Sequence, residues 1–240
     1  MGRLVTKGSA PPEDASTRLP HRPRLDEPAA EARERILRTA YELFHRDGVT
    51  AVGVDRIVAE ADVAKTTLYR HFRSKDELVV AVLERHEELW TAGWIELEVE
   101  RRAASPHERI LVTFDVLNEW LRDESFQGCL FINSLLEIHE RSNSIRGASV
   151  NAIENVHALL RRFAVEAGVP DPVGFAHRIQ LLMRGAIVAA VEGQFDAVEQ
   201  AGLVARRLWQ EESPYARDPE REAKEDEKGD VLDLFGDGGR

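Results

Sequence analysis

From residue 29 to residue 210 the apolar residues recur three and four positions apart and nowhere alternate one by one. That period places them along one stripe of a helix, whereas a half-buried strand needs a period of two. Leu111, Phe114, Leu117 and Leu121 follow it, as do Ile179, Leu182, Met183, Ala186, Ile187 and Ala190. Residue chemistry marks where helices begin and end. Ser74 and Glu77, Ser105 and Glu108, and Asp196 and Glu199 have the spacing of a capping residue with a carboxylate three positions on, which satisfies orphan amides of a first turn. Pro106 and Pro172 follow Ser105 and Asp171, at the one helical position where a missing N–H costs nothing. Gly48, Gly168 and Gly193 fall where helices stop. The pattern predicts an all-α fold, and 240 residues suffice for two domains.

The ends of the chain differ from this middle. Residues 1–28 hold five of the ten prolines and no apolar period, and are expected to be a disordered arm. Residues 211–240 carry eleven acidic against five basic side chains, expected to be an acidic disordered tail. Such a tail is expected to be solubilising; its apolar residues within Asp230–Asp237 offer the alternative of a docking motif or a segment that masks a basic surface. The whole chain has a net charge of −11, which argues against a nucleic-acid partner only if charge is spread evenly. A single Cys excludes an internal disulfide framework and a multi-Cys zinc site. No apolar run reaches the roughly 18 residues of a membrane span, and no secretory signal opens the chain, so the cytoplasm is the expected compartment. Cys129 and His139 lie ten residues apart along one expected helix, too far to act as nucleophile and base, and Cys129 reads as a small buried residue. No glycine-rich phosphate loop precedes a helix. No catalytic, cofactor-binding or metal-ligating residue is therefore expected.

Residues 29–76 form a distinct short unit. Ile36, Leu37, Ala40, Leu43 and Phe44 stripe a first helix ending at Asp47-Gly48. Val54, Ile57, Val58 and Ala61 face inward from a second, Asp62 makes a turn, and a third runs from about Ala64 to Phe72 around Leu68. Two short helices joined by about four residues cannot build a core, so the first must close over them, which is the helix-turn-helix plan. The outer side of the third helix carries Lys65, Thr66, Thr67, Tyr69, Arg70 and His71, with Arg73 and Lys75 just beyond. Residues 62–75 hold four basic side chains against one acidic. Lys and Arg neutralise phosphate, hydroxyls donate to phosphate oxygens, and a Thr methyl suits a thymine methyl. Lys75 and the free amides at the start of the next helix make a second phosphate dock.

The stretch ILRTAYELFHRDGVTAVGVDRIVAEADVAKTTLYRHFRSKDELV, and KTTLYRHFRSKDEL above all, resembles the DNA-binding domain of TetR-type transcriptional regulators. The resemblance implies a homodimer placing two recognition helices in successive major grooves of a palindromic operator, most simply a repressor relieved by a small organic effector. It implies DNA contacts at Lys65, Thr66, Thr67, Tyr69, Arg70, His71 and Lys75, and at Arg56 on the second helix. Ala64 and Gly53 replace the hydroxyl residues that often cap the third and second helices, weakening each cap by about 1 kcal/mol. The competing expectation is a helical small-molecule-binding protein or enzyme without DNA affinity.

Residues 77–210 are expected to bind effector and partner. A long fourth helix should run from Lys75 to about Arg101, with Trp90 and Trp94 in its core stripe. Helices follow at about 106–123, 129–140, 144–167, 172–193 and 197–210. The resemblance implies that the last two pair with their counterparts in a second subunit, through Leu181, Leu182, Gly185, Val188, Ala189 and Glu192 and a stripe of Leu203, Val204, Leu208 and Trp209. Residues 126–133 resemble a segment that in one branch of the family leads into the ligand pocket. Phe114, Leu117, Trp120, Phe131, Asn133, Glu137, Met183 and Arg184 are the candidate pocket residues, with Glu137 and Arg184 alternatively paired to other charged groups.

Overall fold

A computed structural model describes residues 32–140 and 143–213; the arm of residues 1–28 and nearly all of the acidic tail lie outside them. Every regular element among the described residues is helical. α1 (Ala32–Asp47), α2 (Val54–Glu60) and α3 (Lys65–His71) form the N-terminal unit, closed by Ile36, Leu43, Phe44, Ile57, Leu68 and Phe72, all at most 2% exposed. Gly48 ends α1 at φ +87°, and Asp62 makes the α2–α3 turn at φ +51°. α2 and α3 begin at Val54 and Lys65 without a side-chain cap, as Gly53 and Ala64 foretell. α4 (Lys75–Glu87) begins on a complete cap: Glu77 N donates to Ser74 Oγ at 3.1 Å, and Arg73 N donates to Glu77 Oε2 at 2.7 Å.

The long fourth helix is not uniform. Between α4 and α5 (Leu97–Arg102), Glu88–Glu96 adopts the wider π-helical winding. Trp90, Thr91, Trp94 and Ile95 are all buried there. Trp90 with Trp94, and Thr91 with Ile95, stand about one turn apart and face the core. Gly93 permits the winding, because a Cβ there would stand 2.9 Å from the Glu88 carbonyl oxygen.

A 3₁₀ turn (Pro106–Glu108) leads into α6 (Arg109–Leu121), followed by α7 (Leu130–Glu137), α8 (Ser144–Glu166), α9 (Pro172–Val191) and α10 (Ala197–Glu212). α8 is central, packing on α4, α7 and α9, while α10 lies against α9 and α6. Asp171 caps α9 through Gly174 N at 3.0 Å. The other two expected caps are incomplete: Ser105 and Asp196 accept no capping hydrogen bond, and Glu199 is taken instead by Arg122 at 2.8 Å. α10 runs to Glu212, slightly past the expected boundary.

Candidate nucleic-acid interface

α3 has two unlike faces because its apolar residues are one turn apart. Leu68 and the following Phe72 are buried; Lys65, Thr66, Tyr69, Arg70 and His71 are exposed, and Thr67 is half-buried. Leu68 and Phe72 thus anchor a helix whose remaining length is polar and open. Tyr69 is 45% exposed, so its ring is not part of the core.

Three of the expected contacts already have protein partners. Lys65 Nζ donates to Asp55 Oδ1 at 2.6 Å, and this bond holds the ammonium above its ordinary pKa. Arg56 bridges Glu60 at 3.0 Å and Asp47 at 2.7 Å, joining α2 to the end of α1. Arg46, first of all, and then Arg56 hold the Asp47 carboxyl below its usual range. Lys75 is half-buried, its Nζ 3.5 Å from the Thr50 carbonyl oxygen, and burial pushes its pKa down against the fields of Asp76 and Glu137. Arg70 and Arg73 are exposed beside them.

In the C-terminal body the structure brings most of the candidate pocket residues inside. Phe114, Leu117, Trp120, Phe131 and Met183 are buried, and Asn133 and Arg184 are half-buried. Asn133 Nδ2 donates to the Gln127 carbonyl at 3.3 Å, and Arg184 lies near Cys129. Glu137 does not join them. It points to the α1–α2 loop, accepting from Val49 N at 3.2 Å, Thr50 N at 2.7 Å and Thr50 Oγ1 at 2.8 Å. Burial pushes the Cys129 thiol up, which suppresses the reactive thiolate.

The rings that enclose this interior include several that spacing alone assigns to packing. Trp90 meets Trp120 edge-on at 4.9 Å, Trp120 meets Phe126 at 5.1 Å, and His86 lies 5.1 Å from both Phe131 and Tyr41. Among them, Tyr41 Oη and Trp90 Nε1 are buried without a hydrogen-bond partner in the described structure, as are Thr91 Oγ1 and Ser134 Oγ elsewhere. Two unmatched polar atoms in one aromatic cluster are unusual for a core. Trp90 and Trp94 at one-turn spacing were a visible signal; Tyr41, on α1, had none beyond its hydroxyl.

Leu181, Val188 and Val191 on α9 and Leu203 and Val204 on α10 are exposed. Leu182 is half-buried, and Trp209 is buried edge-on against Phe175 at 6.2 Å, so these two belong inside the subunit. Among the described residues no helix is long and apolar enough to cross a membrane, and no group of three or more His, Cys, Asp or Glu side chains is placed to hold a metal.

Comparison with known proteins agrees with this geometry. Residues 36–82 match the family model described as bacterial regulatory proteins, tetR family. The transcriptional repressor NemR of Escherichia coli is 29% identical over 181 residues, covering 71% of this chain and 90% of NemR. The transcriptional activator FasR of Mycolicibacterium smegmatis is 28% identical over 167 residues, covering 69% of this chain and 71% of FasR. The crystal structure of a TetR-family regulator from Streptomyces coelicolor superposes with a TM-score of 0.64 at 25% identity, covering 78% of this chain and 99% of that one. An exposed basic recognition helix on a helix-turn-helix unit, set on a helical body like that of these regulators, identifies residues 36–82 as a DNA-binding domain of the tetR family of bacterial regulatory proteins.

Proposed function

We propose that the chain is a homodimeric repressor of a palindromic operator, relieved when a small organic effector enters the aromatic interior. The observation that carries the reading is the exposed polar face of α3, with Lys65, Thr66, Tyr69, Arg70 and His71 in the open over a fully buried Leu68. In this reading Arg70 and Thr66 face base edges, and Lys65, Thr67, Tyr69, His71 and Lys75 hold phosphate or sugar oxygens. Arg56, already engaged by Asp47 and Glu60, serves by bracing α2 and touches DNA at most through phosphate. The exposed apolar stripes of α9 and α10 form the dimer seam, since a lone subunit would leave them as a continuous patch. Repression is the action named for NemR, which the match spans over 90% of its length.

Phe114, Leu117, Trp120, Phe131 and Met183 line the effector site, with Asn133 and Arg184 at its edge. Trp90 and Tyr41 add a donor and a hydroxyl that lack partners, so the fitting ligand is a flat apolar molecule with a hydrogen-bond acceptor. Selection of duplexes from a random-sequence pool tests the reading. The expected product is an inverted repeat with half-site centres roughly 34–36 Å apart or somewhat more. Recovery of no preferred sequence by the folded protein would overturn it.

A further inference from the structure

Glu137 is the last residue of α7, in the C-terminal body, yet its carboxylate serves the DNA-binding unit. Oε1 accepts from Val49 N, and Oε2 accepts from both Thr50 N and Thr50 Oγ1, across 87 or 88 residues of chain. A charged acceptor taking three donors is among the stronger hydrogen-bonding arrangements a surface allows. The approach depends on Gly48, because a Cβ there would lie 2.8 Å from Glu137 Oε1. A second tie lies alongside: Asn143 Nδ2, at the N-cap of α8, donates to Asp76 Oδ2 at 3.2 Å on the first turn of α4. Lys75 sits between the two ties, in the field of both carboxylates. The body holds its own side of the clamp firmly, since Arg146 on α8 donates to the Leu135 and Ile138 carbonyls at 3.3 and 3.2 Å. The same helix α7 carries Phe131 into the aromatic interior.

We propose that Glu137 is a positioning residue for DNA recognition: it sets the seating of the helix-turn-helix unit on the body, and so the half-site spacing that the dimer accepts. α7 then links the interior to the α1–α2 loop by a route separate from the α4 connection. A shift of α7 that disengages Glu137 frees the unit to tilt without unfolding it, and spacing selectivity falls while the recognition surface stays intact. The proposal rests on the reading of the chain as a dimeric operator binder.

The test uses the full chain and duplexes selected from a random pool by the wild-type protein, remade with the two half-sites moved by one and two base pairs, together with a single half-site duplex. Wild type should discriminate among the spacings by about tenfold or more. Glu137→Gln, which turns one of the two acceptor oxygens into an NH2 facing a backbone N–H of Val49 or Thr50 and removes the charge, should reduce that to about threefold or less, with half-site affinity within about twofold of wild type. Thr50→Val, losing only the Oγ1 donor, should act in the same direction more weakly, and it carries the test if Glu137→Gln does not fold. Unchanged spacing discrimination in both variants overturns the proposal. So does an equal loss on the half-site duplex, which would mark a damaged recognition unit rather than a misplaced one. A wild-type protein that selects no two-half-site DNA overturns the dimeric reading along with it.

Discussion

Gly48 is the position where backbone geometry and the interdomain contact meet, and Gly48→Ala separates their contributions. Its φ of +87° lies in the left-handed region, where an L side chain costs about 1–2 kcal/mol. The new Cβ would also lie 2.8 Å from Glu137 Oε1 and 3.2 Å from Oε2 and Cδ, closer than a carboxylate can tolerate without moving. A carboxylate that retreats loosens its hold on three donors, and a lost hydrogen bond to a charged group costs about 1.5–3 kcal/mol. The substitution should therefore destabilise the chain by about 2.5–5 kcal/mol, and lower Tm by roughly 5–20 °C at 2–4 °C per kcal/mol for this chain length. Urea denaturation of four proteins measures it: wild type, Gly48→Ala, Glu137→Ala and the double variant. In the Glu137→Ala background the steric part vanishes, so Gly48→Ala should cost only the backbone share of about 1–2 kcal/mol. Additive effects in the double variant, or a Gly48→Ala change below about 0.5 kcal/mol, would refute the contact on which the clamp depends.

Three further outcomes follow from named groups. Tyr41→Phe removes a buried hydroxyl that has no partner and should stabilise the protein by about 1 kcal/mol in denaturant titration. It should also flatten the alkaline limb: burial raises the Tyr41 pKa, so the unfolded chain releases that proton first, and stability falls as pH rises above about 10, with Cys129 adding a parallel loss from about pH 8.5. Asp55→Asn frees Lys65 and removes an acidic group beside the DNA surface; operator affinity should rise by roughly two- to fivefold at low salt, with little change at high salt. Leu181→Glu together with Val188→Glu places charges on the exposed α9 stripe, and sedimentation should show monomers at concentrations where wild type is dimeric.

The parts of the molecule legible in the sequence are those set by local chemistry. Gly48, Asp62 and Ser74 each declare a turn or a cap through their own backbone preferences, and the N-terminal unit follows from them. The recognition face was legible too, because Leu68 and Phe72 leave the rest of a seven-residue helix nothing to pack on. The π-helical winding left no trace, because Trp90 with Trp94 and Thr91 with Ile95, four apart, fit an ordinary 3.6-residue helix equally well. Glu137 was illegible: nothing near residue 137 shows that its carboxylate meets amides some 87 residues earlier, and polar residues among apolar neighbours suggest a pocket by default. Tyr41 failed for the same reason, since its ring packs on His86 of α4, some 45 residues away. The net charge of −11 misleads for a related cause. It sums an acidic tail and body, while the segment from Asp62 to Lys75 is basic on its own.

The salt dependence of operator affinity tests the central claim most directly. Each phosphate neutralised on a duplex contributes about −0.9 to the slope of log K against log salt. Lys65, Arg73 and Lys75 from each of two subunits provide as many as six such contacts, so the expected slope lies between about −3 and −5. Lys75→Ala should make that slope about 1.8 units shallower, one phosphate per subunit. A slope near zero, or one that Lys75→Ala and Lys65→Ala leave unchanged, would contradict an interface built on α3 and the start of α4.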